Sequence, residues 1–328
     1  MAKEIRIDIR ENRLLEMDSM LLNILLKDNS SGERIIWATD DYTQYNEAFT
    51  KDRQITVFSI TGKNGTIIKP RIEKTKQEQL SRVRDKAEVF TPSWICNKQN
   101  NLVDNAWFGI ENVFNVEEDK SWKATESKIP FPTADGKTWQ DYVKANRLEI
   151  SCGEAPYLAS RYDTVSGEVI QVKERIGLLD RKFRVISENV DGEQEWYEWA
   201  KQAIKSIYGY DWQGDNVLLA RENLLFTFCD HYEDKFGVYP IKEYLLEIAE
   251  ILAWNIWQMD GLKFVIPNSC HNSKIIEYTL FGEIEHEEVC EGCKKNSKTK
   301  HNGVYCYVMD WEKNRKVKFV NLVNGRTR

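Results

Sequence analysis

Three strand-like stretches each end in residues that can hold a polar ligand. Arg147-Leu148-Glu149-Ile150 runs into Ser151-Cys152-Gly153-Glu154-Ala155, a small-residue turn in which Gly153 has no Cβ to block a ligand approaching the backbone. Ile207-Tyr208-Gly209-Tyr210 ends at Asp211, and a carboxylate there can accept hydrogen bonds from both hydroxyls of one ribose. Ile256-Trp257-Gln258-Met259 ends at Asp260, an acceptor for an amino group such as that of adenine. Ligands of open α/β sheets bind outside the carboxyl ends of the strands. Glu149, Ser151, Cys152, Gly153, Asp211 and Asp260 are therefore candidates for one shared pocket. No His lies near Cys152 in sequence, which argues against a nucleophilic thiol.

A second group of reactive side chains lies near the C-terminus. Cys290-Glu291-Gly292-Cys293 has the turn spacing that lets two thiolates reach one Zn²⁺. His301 and Cys306 follow, and complete a candidate ligand set Cys290, Cys293, His301 and Cys306, with Cys270 and His271 as spare ligands. Lys294, Lys295, Lys298 and Lys300 flank the pair, where they would lower thiol pKa values or meet phosphate. A further basic strip, with Lys69, Arg71, Lys74, Lys76, Arg82, Arg84 and Lys86, reads as a solvated helix face or as a phosphate contact. Glu118-Asp119-Lys120 and Glu233-Asp234-Lys235 match the Glu-x-Lys of nucleases, but neither has a properly spaced strand Asp. Glu285-His286-Glu287-Glu288 lacks the second His of a metalloprotease helix.

The elements that must position these groups follow from periodicity. Between the three strands lie two helical patterns near 174–206, then helices at Gln213–Asp230 and Pro240–Trp254. Strand, helix, strand, helix, strand implies an α/β fold with a doubly wound, mostly parallel sheet. Ahead of it, Leu14–Leu26 reads as one helix and Gln54–Ile60 as a strand entering a hairpin turn at Gly62–Gly65. Val304–Met309 and Val317–Val323 read as two further strands. The expected organisation is an N-terminal α+β extension over 1–86, a ligand-binding domain over 87–266 and a small Cys-rich tail over 267–328.

Composition narrows the class. The 328 residues are 41% hydrophobic and 30% charged, with 11 Trp, which fits a globular chain and excludes low-complexity disorder. A net charge of −6 excludes a uniformly basic, histone-like binder, yet leaves room for a local basic patch. No run of 18 apolar residues occurs, so no membrane-spanning helix is expected. The charged N-terminus lacks the apolar core of a secretion signal, which predicts a cytoplasmic protein. Seven Cys then read as free thiols or metal ligands.

These motifs resemble the N6-adenine DNA methyltransferases of restriction-modification systems. Asp85 to Pro92 resembles the segment whose Phe90-Thr91-Pro92 would lie against the methionine part of S-adenosyl-L-methionine. Leu148 to Leu158 resembles the first cofactor motif, usually Leu-Glu-Pro-Ser-Cys-Gly-Glu-Gly, with Ile150 in place of its Pro and Ala155 in place of its second Gly. Ile207 to Asp211 with Ala220-Arg221-Glu222-Asn223-Leu224 resembles the ribose-binding motif and its helix, and Asn255 to Asp260 the adenine-binding motif. Nearly the whole chain also resembles proteins called restriction endonuclease subunit M. The resemblance implies a Rossmann-like core that binds S-adenosyl-L-methionine and acts on double-stranded DNA, with no membrane partner.

The family's catalytic tetrapeptide, Asn-Pro-Pro-Tyr or Asp-Pro-Pro-Tyr, is absent. It would align the adenine amino group on the methyl and stack on the flipped base. The nearest candidates are Asn268, in Ile266-Pro267-Asn268-Ser269, and Asp310, in Met309-Asp310-Trp311. The sequence stops at Arg328, close to where the family's catalytic strand would begin, which suggests a split enzyme. A second polypeptide would then supply the Pro-Pro-aromatic motif and target recognition. The alternatives are a non-catalytic DNA-binding or regulatory subunit that keeps the fold as scaffold, and a complete methyltransferase with a degenerate motif.

Overall fold

Residues 11–86, 88, 91–131, 136–279 and 282–325 are described by the structure, a computed structural model. Phe90 therefore lies outside the described residues. The N-terminal part holds α1 (Glu11–Met17), α2 (Ser19–Leu25), α3 (Val57–Ile60) and α4 (Lys76–Lys86). Then come α5 (Ser93–Phe108), the antiparallel pair β1 (Asn115–Glu118) and β2 (Ser121–Ala124), and α6 (Trp139–Lys144). The central part runs β3 (Arg147–Ile150), α7 (Leu178–Asn189), α8 (Glu193–Lys205), β4 (Ile207–Asp211), α9 (Gly214–Phe236), α10 (Lys242–Asn255) and β5 (Ile256–Gln258). The tail holds the hairpin β6 (Ser273–Thr279) and β7 (Gly282–Glu288), then α11 (Glu291–Lys295), β8 (Tyr307–Asp310), β9 (Arg315–Lys318) and α12 (Phe319–Val323).

Two local expectations fail for identifiable reasons. The Leu14–Leu26 pattern is broken at Asp18, whose extended backbone and side-chain acceptor for the Met20 amide start α2 afresh. The Gln54–Ile60 run does not form a strand. Thr56 and Ser59 close a reciprocal capping box, and Val57–Ile60 folds as one helical turn.

The three expected strands form one parallel sheet of order β3-β4-β5, joined by helical crossovers. The order follows the chain without reversal. The reversal that defines a doubly wound sheet is therefore not present among the described strands. Register puts Ile207, Gly209 and Ile256 on one face, where Ile207 and Ile256 join the large apolar cluster with Leu179, Phe183, Leu218 and Leu252. The same cluster includes Leu14, Leu21, Leu25 and Trp37, so the N-terminal helices share this core. Tyr210 and Trp257 face the other way, onto Phe264 and Ile266 and onto Cys306, Val308 and Phe319 of the tail. The tail covers β4 and β5 on that face, but not β3. Leu148 and Ile150 stay 46% and 65% exposed, and β3 pairs with no second strand among the described residues.

Candidate ligand site and metal centre

The turn after β3 folds around acids from two neighbouring strands. Glu149 accepts the amides of Tyr157 and Leu158, at 3.4 and 3.2 Å. Asp211 accepts the Gly153 amide on Oδ2 at 3.0 Å. Its Oδ1 takes the Gln213 amide at 2.9 Å and the Asn216 side chain at 3.2 Å. The turn alternates left-handed residues at Ser151, Gly153 and Ala155, with φ of 50°, 52° and 62°. Ala155 thus occupies a backbone conformation that favours glycine, at the position where the resembled motif has glycine. Glu154 is buried and accepts the Arg71 amide and the Tyr162 hydroxyl, and Asn223 of α9 donates to the Glu154 carbonyl at 2.9 Å.

Neither Glu149 nor Asp211 has a basic ion-pair partner among the described residues. Burial raises Glu149 to about 8, against the pull of the Tyr157 and Leu158 amides and with a push from the Asp211 charge. Burial raises Asp211 to about 6, although its own amide bonds oppose the shift. Two adjacent acids thus carry a desolvation cost that no internal cation offsets. Asp215, in the first turn of α9, is the contrast. Burial works against its charge, but Arg82 and Lys74 hold it well below the usual carboxylate range. Their contacts are 2.8 and 3.4 Å, and Tyr42 donates a third bond at 2.6 Å. Arg82 also grips Glu88 at 2.7 Å. The basic strip 69–86 therefore turns Lys74 and Arg82 inward, and of its described basic side chains only Lys76 and Arg84 are exposed.

The other predicted site residues are spread along the chain. Ser151 is exposed at the tip of the turn. Cys152 is buried against Gly209, and burial pushes its thiol well up, as befits a packing residue. Pro92 caps the start of α5, and the Thr91 carbonyl accepts the Thr164 hydroxyl at 3.2 Å. Asp260 accepts the amides of Leu262 and Lys263 and pairs with the Lys263 ammonium at 3.5 Å. It lines a polar cavity of about 360 Å³ with Lys51, Asn268, Cys270 and Cys293. Asn268 is exposed at this cavity with φ of 60°. Asp310 forms the β8–β9 turn, where it accepts the Lys313 amide. The structure does not bring Asp310 to the strand ends.

The metal centre differs from the spacing-based set in one ligand. Cys270, Cys290, Cys293 and His301 converge, with all four ligand atoms within 4.8 Å of one another. The sulfurs of Cys270, Cys293 and Cys290 lie 3.5, 3.7 and 3.8 Å from the same atom, His301 Nδ1. Tetrahedral zinc with ordinary Zn–S and Zn–N bonds requires S···N separations of about 3.6 Å. The cluster could hold a metal such as zinc. Cys306 is excluded because it is fully buried under β5, with Sγ 3.4 Å from the Gln258 carbonyl. A Cβ on Gly292 would stand 2.6 Å from the His301 ring, so only glycine lets the ring reach the turn. Burial and the neighbouring sulfurs raise the Cys270 thiol to about 12. At Cys290 the desolvation is outweighed by the Asn302 and Cys293 amides and by His301, which lower it to about 6.

No protein family, curated protein or solved structure matches this chain. Cys270 was visible in sequence only as a spare ligand, because the β6–β7 hairpin separates it from the other three. The Lys74–Arg82–Asp215 network carried no sequence signal beyond an acid in the first turn of a helix. No described helix is long and apolar enough to cross a membrane.

Proposed function

We propose that this chain is the S-adenosyl-L-methionine-binding polypeptide of an N6-adenine DNA methyltransferase of a restriction-modification system. The observation that carries the reading is the pair Glu149 and Asp211, buried at the ends of adjacent parallel strands with no ion-pair partner among the described residues. S-adenosyl-L-methionine bears a sulfonium, an ammonium and one carboxylate, so its net charge suits such a site. When bound, it supplies the methyl group. Glu149 and Asp211 would answer the positive charge, the Gly153 turn would admit the ligand backbone-close, and Asp260 would accept from the adenine amino group. The Cys270, Cys290, Cys293 and His301 cluster would hold one structural zinc.

A second polypeptide would supply the Pro-Pro-aromatic motif and the target-recognition residues. Two observations support a partner. No Pro-Pro pair occurs anywhere in the 328 residues, and among the described residues β3 has a free edge, with Leu148 and Ile150 exposed. The alternative is a scaffold that has lost its ligand. One feature favours it: Asp211 already accepts three internal hydrogen bonds of the roughly four a carboxylate can take.

Calorimetry with S-adenosyl-L-methionine separates the two. Binding in the micromolar range, about −8 kcal/mol, is expected. Asp211→Ala should weaken it by tenfold to a few hundredfold, the worth of charge-assisted bonds of about 1.5–3 kcal/mol. No heat of binding by the wild-type chain would leave the scaffold reading standing. Methyl transfer to mixed-sequence DNA by this chain alone would sink the two-polypeptide version.

A further inference from the structure

Residues 290–318 carry eight Lys or Arg against three Asp or Glu, in a chain whose net charge is −6. Half of these cations are paired locally. Lys294 pairs with Glu288, Lys295 and Lys300 share Glu291, and Lys313 pairs with Asp310. Lys298, Lys316 and Lys318 have no carboxylate partner among the described residues. Each instead stands over an aromatic ring. Lys318 Nζ is 4.6 Å from the Tyr305 ring centre and 5.9 Å from Tyr307, Lys316 Nζ is 5.4 Å from Tyr307, and Lys298 Nζ is 5.6 Å from Phe264. The three belong to one face. Tyr305 bridges to Val265, the neighbour of Phe264, and its hydroxyl meets the Lys298 carbonyl at 3.3 Å.

We propose that this face, formed by the Cys-rich turn and the β8–β9 hairpin, is a phosphate-backbone contact for duplex DNA. A ring beneath each ammonium fixes its position without neutralising it, so its charge remains available to an outside anion. Because lysines already cover the Tyr305 and Tyr307 rings, stacking of unpaired bases is disfavoured and a duplex backbone is favoured over a single strand. The face also lies close to the proposed ligand site, since Val265 bridges both to Tyr305 and to Asp260. The proposal rests on DNA being the substrate, as argued above, and replaces the 69–86 strip, two of whose cations are committed to Asp215.

The test is fluorescence anisotropy of the full chain on a mixed-sequence duplex across a salt series. The probes are K298E/K316E/K318E and the gentler K298Q/K316Q, with K76E on α4 as control. The triple variant should bind at least tenfold more weakly. The slope of log affinity against log salt should fall by about 2.5–3 for it and by about 2 for the double variant, at about 0.9 per phosphate contact. K76E should behave as wild type. Thermal melts of each variant check the fold, and the double variant, confined to exposed side chains, keeps the test open if the triple misfolds. Wild-type DNA binding with unchanged slopes in both variants would overturn the surface while leaving the methyltransferase reading intact. Binding of polyglutamate in place of duplex would overturn it in favour of an acidic protein partner. A missing calorimetric signal for S-adenosyl-L-methionine would count against the methyltransferase reading alone, because the salt slopes are read without that ligand.

Discussion

At the ends of β3 and β4 the acids commit their acceptor capacity to the turn they organise, whereas in the tail three sulfurs and an imidazole face mainly one another. Glu149 and Asp211 are tied to four backbone amides and one side-chain amide, so the turn keeps its shape without a ligand. Cys270, Cys290 and Cys293 have only long contacts to His301 and a few weak donors. An ion held by the tail would be what closes it, whereas the turn at the strand ends is already formed by its own hydrogen bonds around two buried acids. The two regions should answer perturbation differently. One should lose structure, and the other should change its pH dependence and affinity.

The largest effect belongs to the metal. Structural zinc contributes roughly 10–16 kcal/mol spread over its ligands, so loss of one should weaken binding by at least about 100-fold. Cys270→Ala should purify with little zinc, and Cys306→Ala should keep about one equivalent. Elemental analysis with a chelator competition reads both. Equal zinc in the two variants would break the comparison and return the set to Cys290, Cys293, His301 and Cys306. Chelation should loosen 267–325 and leave the parallel sheet folded, which amide exchange can resolve by region.

How far the sequence reaches differs along the same line. The strands β3, β4 and β5 were legible because each is a short β-rich run punctuated by an acid or a small-residue turn, and the helices between them have clear periods. The ends of these strands are local signals, so the amino-acid sequence alone suffices to place Glu149, Asp211 and Asp260 there. It does not suffice for the fourth metal ligand, because Cys270 reaches the others only after the β6–β7 hairpin folds back on itself. The apolar run Val317–Val323 was ambiguous by length, and it divides into the end of β9 and all of α12. At Thr56–Ser59 a capping box of four residues outweighed a β-rich composition.

A smaller effect distinguishes the strand ends by pH. Burial raises Glu149 from 4.5 to about 8 in the folded chain. A raised carboxyl contributes stability that is present below about 4.5 and is lost as pH rises through about 8. The ligand-free wild type should therefore lose stability between pH 5 and 8.5, and Glu149→Gln should flatten that decline while keeping an acceptor for the Tyr157 and Leu158 amides. Binding of a cationic ligand should run the other way and strengthen over the same window, since it favours the ionised pair. Urea melts across pH measure the first effect and calorimetry the second. Parallel pH profiles for wild type and Glu149→Gln would mean that the acid is not the uncompensated group it is taken to be.

The smallest effect tests whether the turn is built to the resembled pattern. Ala155 is fully buried at φ of 62°, where a side chain costs about 1–2 kcal/mol in backbone strain. Replacing it with glycine relieves that strain. The same change loses about 0.8 kcal/mol of methyl burial and about 0.4–1 kcal/mol through the freer unfolded chain. The terms nearly cancel, so Ala155→Gly should alter stability by under about 1 kcal/mol. Ala220, equally buried but inside α9, provides the reference. There the methyl loss adds to a helix penalty of about 1 kcal/mol with no strain to recover, for a total near 2 kcal/mol. Denaturant melts of both variants read the difference directly. If Ala155→Gly is as costly as Ala220→Gly, the left-handed turn is not what holds the strand end in shape. If it is clearly milder, alanine sits in a left-handed position that suits glycine, and the turn keeps that conformation at a cost the alanine bears.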